Sequence, residues 1–328
     1  MQLPTPIKWE ELKNLKADTF FELANKIYHW QTQHNEVYQE WIKAWNIPLS
    51  TPNTIAQIPF LPISFFKSRE VLIGKNPHTY FESSGTTQDV TSKHWVQDLS
   101  LYQDSFSTCF ELFYGTPSDW CIIGLLPSYL ERSHSSLVYM VENLIKQSGH
   151  PDSGFYLYDF IALNELLQKL ELKGQKVWLI GVSFALIDFA EAFPQQLKHT
   201  TVIETGGMKG RKQELTRAQL HKLLSEKLGV KTIHSEYGMT ELLSQAYSIQ
   251  DGIFKCPPWM KVMVSDEEDP LAISSQGKGI LHIIDLANIH SCCFIATEDI
   301  GEVYADGSFK VLGRLDTSAR RGCSLLVV

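Results

Sequence analysis

The chain has 328 residues, 44% hydrophobic and 20% charged, with a formal net charge of -8. That is the composition of an ordinary globular protein with room for one large α/β unit or two smaller ones, and the acidity speaks against a general nucleic-acid binder, which carries a basic footprint. The six cysteines show no CxxC spacing, the first residues form no signal or transit peptide, and the most apolar window, 177–187, is too short to span a bilayer; a cytoplasmic protein with free thiols, no zinc site and no membrane span is expected.

Aromatic and aliphatic residues at helical spacing (Phe20, Leu23, Ile27, Trp30; then Val37, Trp41, Trp45) predict two helices over 7–46, within a helical N-terminal part of about 1–50. Pro48, Pro52, Pro59 and Pro62 punctuate an extended connection. Residues 78–93 read as a strand, a hydroxyl-rich turn and an exit, and 96–113 as a helix. Strands are then expected at 120–126, 156–158, 177–181 and 201–204. Helices are expected at 135–148, 161–172, 184–192 and 216–228, the last stopped by Gly229. This alternation predicts an α/β fold built on a mostly parallel, helix-covered sheet. After about residue 250 the texture changes to short strands (262–264, 279–285, 301–304, 308–312) between Gly and Asp turns. An α/β region over 1–250 and a β-rich subdomain over 251–328 are therefore expected. The acidic run 266–269 reads as a solvated loop.

Three polar clusters carry the chemistry. Ser83-Ser84-Gly85-Thr86-Thr87 combines a glycine turn with hydroxyl donors, a pattern that cradles phosphate, and Lys93 follows as a mobile cation. It is not a Walker P-loop, and alone it reads equally well as a polar surface loop. In Tyr237-Gly238-Met239-Thr240-Glu241 the tyrosine offers a face to a purine, the glycine permits close approach, Thr240 bonds a phosphate oxygen and Glu241 is a hard ligand suited to Mg²⁺. Asp299 accepts from ribose hydroxyls, with Arg314 near the same sugar; read separately, each is an ordinary surface residue. Gly181-Val182-Ser183-Phe184-Ala185 lacks the second glycine of a hydrolase elbow.

These strings resemble the adenylate-forming superfamily of acyl-CoA synthetases, adenylation domains and luciferases. Within it they are most similar to the acyl-protein synthetase family of bacterial bioluminescence. The resemblance is carried by IPFLPISFFKS (58–68), ESSGTT, ETGGMKGR (204–211), HSEYGMTELLSQ (234–245), DLAN with FIATEDIG, and GRLDTSARRGCSL (313–325). It implies the large N-terminal domain of that fold, with 1–250 holding nucleotide and acyl group and 251–328 ending in the hinge-like GRLD and RGCS segment. It implies ATP and Mg²⁺, and a carboxylic acid, a fatty acid in the leading reading, activated as acyl-AMP and passed to a thiol. By that resemblance Ser83, Ser84, Gly85, Thr86 and Thr87 hold the β- and γ-phosphates, and Gly206, Gly207, Glu236, Tyr237 and Gly238 line the adenine slot. Thr240 meets the α-phosphate, Glu241 the metal, and Asp299 and Arg314 the ribose. Cys323 occupies the position of the family's acyl-accepting cysteine; read from the residues alone, it serves equally as a small core residue of a final strand. Lys93, Thr240 and Cys323 are the catalytic candidates, and the acyl pocket is expected near Tyr129, His134 and residues 205–207.

The pattern departs from the superfamily at Gln88 and Glu298, where glycines are common, and at Lys93, which stands further along than usual. The usual mobile C-terminal lysine domain is expected to be missing, so that Lys93, Lys67, Arg320 or a partner supplies the cation. An acyl-transferase, reductase or carrier protein is the expected partner. The alternatives are a ligase with CoA or a carrier as external thiol acceptor, and a non-catalytic nucleotide- or acyl-binding subunit.

Overall fold

The computed structural model describes residues 5–45, 51–83, 90–127, 134–206, 215–266 and 269–315. The N-terminal part holds three helices where two were expected: α1 (Trp9–Lys13), α2 (Phe20–His34) and α3 (Glu36–Ala44). The first is a single turn that stops at Asn14, before the longer amphipathic pattern begins. The apolar residues of α2 and α3 are core, as their spacing predicts: Phe20, Ala24, Ile27, Tyr28, Val37, Tyr38 and Ile42 are buried. The proline-rich connection leads to strand β1 (Leu61–Pro62) and the short helix α4 (Phe65–Ser68). A hairpin of β2 (Thr79–Glu82) and β3 (Lys93–Val96) then carries the hydroxyl-rich turn.

The alternating segment folds much as its periodicity predicts. It runs α5 (Leu99–Tyr114), β4 (Cys121–Leu125), α6 (Ser136–Ser148), β5 (Gly154–Phe155), α7 (Phe160–Leu172), β6 (Val177–Val182), α8 (Ser183–Ala192), β7 (Thr200–Thr205), α9 (Arg217–Leu228) and β8 (His234–Tyr237). Asp98, Ser135, Asp159 and Thr216 each accept a backbone N–H at a helix start, and Gly229 ends α9 in the left-handed conformation. Strands β5, β4, β6, β7 and β8 pair in parallel in that order, with continuous apolar runs in β4 and β6. The strand expected at 156–158 lies two residues earlier.

The strands after residue 245 continue the same sheet. They are β9 (Ala246–Ser248), β10 (Phe254–Lys255), β11 (Met260–Ser265), β12 (Ile273–Ser274), β13 (Gly277–Asp285), β14 (Phe294–Val303) and β15 (Phe309–Arg314). β9 joins β8 antiparallel, and the order continues through β10, β15, β14, β13 and β11 to β12, with β1 parallel to β14. The sheet of 13 strands is therefore mixed, parallel on one side and antiparallel on the other. Strand β14 begins at Phe294, seven residues before the 301 start expected from sequence. Among the described residues no helix is long and apolar enough to cross a membrane.

Candidate active site

Strands β7 and β8 end side by side, and the polar chemistry gathers at their carboxyl ends, the edge where open α/β sheets take ligands. Gly206 follows β7 with φ 75°, a conformation glycine adopts without strain, and its carbonyl accepts from the Ser183 hydroxyl at 3.0 Å. The Thr205 hydroxyl donates to the Glu236 carboxylate across the two strand ends. Burial lifts the Glu236 carboxyl to about 7; Thr205 opposes the rise and the Glu204 charge adds to it.

Because its folded value exceeds the ordinary 4.5, Glu236 destabilises the native state progressively as pH rises from 4.5 through 7. Glu236→Gln keeps the acceptor for Thr205 and removes the charge. Its unfolding free energy is expected to match the parent at pH 5 and to exceed it by up to about 3 kcal/mol at pH 8, checked by urea titration at both values.

Gly238 leaves the strand beside the same carboxylate. A Cβ built there would sit 2.5 Å from Glu236 Oε1. Gly238→Ala must displace a buried carboxyl held by Thr205, and a loss of about 1–3 kcal/mol is expected. In a Glu236→Ala background most of that loss should vanish, which a double-mutant cycle measures.

Tyr237 is buried, its ring edge-on to Phe254 and Phe309 with centroids 5.8 and 5.4 Å away. Its hydroxyl donates to Asp299 Oδ2 at 2.8 Å, joining the end of β8 to β14. Asp299 pairs in register with Arg314 of β15, whose guanidinium lies 4.0 Å from Asp299 Oδ1 and donates to Glu298 Oε2 at 3.3 Å. The ribose candidates therefore stand beside the adenine candidate.

The next turn is fixed from three directions. His94 of β3, buried, donates through Nδ1 to the Thr240 carbonyl at 2.8 Å and sets Nε2 2.9 Å from Asn288 Oδ1. Asn288 donates to the carbonyls of Glu241 at 2.8 Å and Cys292 at 3.1 Å, which fixes its amide orientation. Asp285 accepts from the Leu243 N–H at 2.8 Å and the Ser244 hydroxyl at 2.6 Å. The loop carrying Asn288 is pinned in turn by Gln31 of α2, which donates to Ile289 O and accepts from Cys293 N–H. These pins give Thr240 and Glu241 a rigid base.

Glu241 is buried, and burial raises its carboxyl. A hydrogen bond with Ser92 and the charges of Arg314 and Lys67 hold it down. Ser92 in turn gives its backbone N–H to Ser83 Oγ at 2.9 Å and its carbonyl to the Ser83 N–H at 3.0 Å, closing the neck of the hydroxyl-rich turn. Ser83, Glu236, Tyr237, Gly238, Thr240, Glu241, Asp299 and Arg314 thus form one connected neighbourhood. Ser84, Gly85, Thr86, Thr87, Gly207, Tyr129 and Cys323 lie outside the described residues. Lys93 is exposed at the start of β3, its ammonium 5.2 Å from the centre of the Tyr80 ring, and His134 stacks on that ring at 4.0 Å. The charge that reaches Glu241 comes from Arg314 and Lys67.

His94, Asn288, Asp285, Ser92 and Thr205 were not read from the sequence as site residues. Only the strings DLAN and ETGG marked their surroundings, without assigning them a task.

The arrangement is that of the large domain of adenylate-forming enzymes. The fold superposes on ATP-bound MatB from Rhodopseudomonas palustris with TM-score 0.55 and 18% identity, over 72% of this chain and 47% of that one. It superposes on the luciferase-like enzyme of the mealworm Zophobas morio with TM-score 0.50 and 16% identity, over 74% of this chain and 58% of that one. The chain spans about half the length of these solved structures. The long-chain-fatty-acid–luciferin-component ligase of Vibrio harveyi is 22% identical over 98% of this chain and 90% of its own length. The model of the acyl-protein synthetase family LuxE matches residues 157–328. The chain belongs to the LuxE acyl-protein synthetase family, a family of AMP-forming acid ligases.

Proposed function

We propose that this chain activates a fatty or related carboxylic acid with ATP and passes the acyl group to the thiol of Cys323. The acid's carboxylate oxygen bonds to the α-phosphorus, the bond to the β-phosphate oxygen breaks, and pyrophosphate leaves. The thiolate then bonds to the acyl carbon and AMP leaves, giving a thioester. The observation that carries the reading is the chain of contacts Ser83–Ser92–Glu241 and Tyr237–Asp299–Arg314. It ties three polar segments, far apart in sequence, to one strand end.

The residues fit the nucleotide. Gly206 and Gly238 leave backbone open beside Glu236, and Tyr237 holds Asp299 where a ribose would meet it. They also fit magnesium, which binds through one or two carboxylates plus phosphate oxygens and water; no cluster of three or more His, Cys, Asp or Glu suited to a metal occurs among the described residues. Glu241 would hold the ion, and when bound it would neutralise phosphate charge. Arg314 and Lys67 add positive charge in the same region, Lys93 stands at the mouth of the hydroxyl-rich turn, and Thr240 is fixed toward the α-phosphate. An acyl-transferase, reductase or carrier protein would take the thioester onward. The division into a nucleotide- and acyl-binding region over 1–250 and a β-rich subdomain over 251–328 belongs to the same proposal.

The test is exchange of labelled pyrophosphate into ATP across acids of graded chain length. Exchange is expected with Mg²⁺ and one class of acid, with no thiol present. Nucleotide binding with no exchange for any acid would reduce the chain to a nucleotide-binding subunit.

A further inference from the structure

A cavity of about 520 Å³ opens on the antiparallel half of the sheet, between the end of α3, the proline-rich segment and strands β12, β13 and β14. Its walls include Trp41, Trp45, Phe60, Leu271, Ile273 and His282, with four prolines among the rest. The volume lies within the range of small-molecule sites, and a proline- and tryptophan-rich wall is formed in advance of binding. None of its lining residues belongs to the nucleotide neighbourhood or to the expected acyl pocket.

Two features define what would bind. No Lys, Arg, Asp or Glu lines the cavity among the described residues, so a charged head group would be desolvated without a counter-charge. The imidazole of His282 is buried, with Nε2 bonded to Ser265 Oγ at 2.8 Å and its face against Phe60 at 4.9 Å. Its Nδ1 has no hydrogen-bond partner among the described residues. Burial also holds this ring neutral, with its pKa lowered to about 4. The nearby polar groups are already engaged: Trp41 Nε1 donates to the Phe60 carbonyl, and Gln57 Oε1 accepts from the Asn53 N–H. An unpaired buried nitrogen in an apolar wall is costly, and a ligand that brought it one hydrogen bond would recover that loss.

We propose that this cavity is a second binding site, for an uncharged amphiphile with an aliphatic or aromatic body and a single hydroxyl, carbonyl or amide group that pairs with His282 Nδ1. It neighbours the nucleotide site without being part of it. Ala296 forms part of the wall, and Asp299 stands three residues further along β14.

The probes are 1-decanol and decanoate, titrated calorimetrically into the full chain with AMP saturating. One decanol per chain is expected, with decanoate at least tenfold weaker. His282→Phe, which keeps a ring but removes the nitrogen, should weaken decanol about tenfold or somewhat less. Ile273→Trp, at a half-buried wall position, should abolish saturable binding. If His282→Phe fails to fold, the decanol–decanoate comparison and Ile273→Trp still decide. No saturable decanol binding, binding indifferent to Ile273→Trp, or decanoate binding as tightly as decanol would each overturn the proposal. Because AMP occupies the nucleotide site throughout, failure here leaves the adenylation reading untouched.

Discussion

Cys323→Ala is expected to lower hydroxylamine-labile acyl label on the protein at least a hundredfold while leaving ATP–pyrophosphate exchange within a few-fold of the parent. Thioester formation needs a thiolate, and the other five cysteines are poor sources of one. Burial pushes the thiols of Cys109 and Cys293 well up, Cys121 to about 11, and Cys256 and Cys292 to about 12. Near neutral pH such groups are almost wholly protonated, and four of the five are closed off from solvent. Cys323 is flanked in sequence by Arg320 and Arg321, whose positive charge favours the thiolate. The two assays separate the two half-reactions. Adenylation involves no thiol, so pyrophosphate exchange that disappears with Cys323 would break the two-step scheme. Label that survives in the variant and follows added CoA or carrier protein would move the acceptor outside the chain.

The parallel half of the fold was legible because its information is local. Each strand there is a short apolar run, each helix starts at a side chain that can cap it, and Gly229 closes the last. Strand β14 was less legible at its start. Cys292 to Asp299 mixes buried apolar and polar residues without alternation, and Thr297 faces inward only because its hydroxyl donates to the Leu281 carbonyl. The same contrast runs through the site. Ser83, Thr240 and Glu241 announce themselves by functional group. His94 does not, because its task depends on a carbonyl 146 residues away and an amide 194 residues away. Tyr237 was read as a flat face for a base, but the sequence could not show that its hydroxyl reaches Asp299, 62 residues on. Residue type marks where chemistry is possible; the long-range bonds that hold those groups in place appear only once the sheet is assembled.

Glu241→Gln is expected to reduce magnesium-dependent pyrophosphate exchange by about 10²–10³-fold, a loss typical of removing one strong electrostatic group from a reaction site. The substitution keeps the size of the side chain and one oxygen that can accept from Ser92. The surrounding pins are untouched, since His94 holds the Thr240 carbonyl and Asn288 holds the Glu241 carbonyl through the backbone. The fold should therefore survive. Burial raises the Glu241 carboxyl despite Ser92, Arg314 and Lys67, so the charged form is the less favoured one in the folded chain. Neutralising it should leave stability at pH 8 equal to or above the parent while activity collapses, a combination that unfolding cannot produce. Raising the magnesium concentration should recover part of the exchange if Glu241 serves as a ligand. A variant that loses stability and activity together, with no response to magnesium, would instead make Glu241 a structural carboxylate that braces the neck of the hydroxyl-rich turn through Ser92.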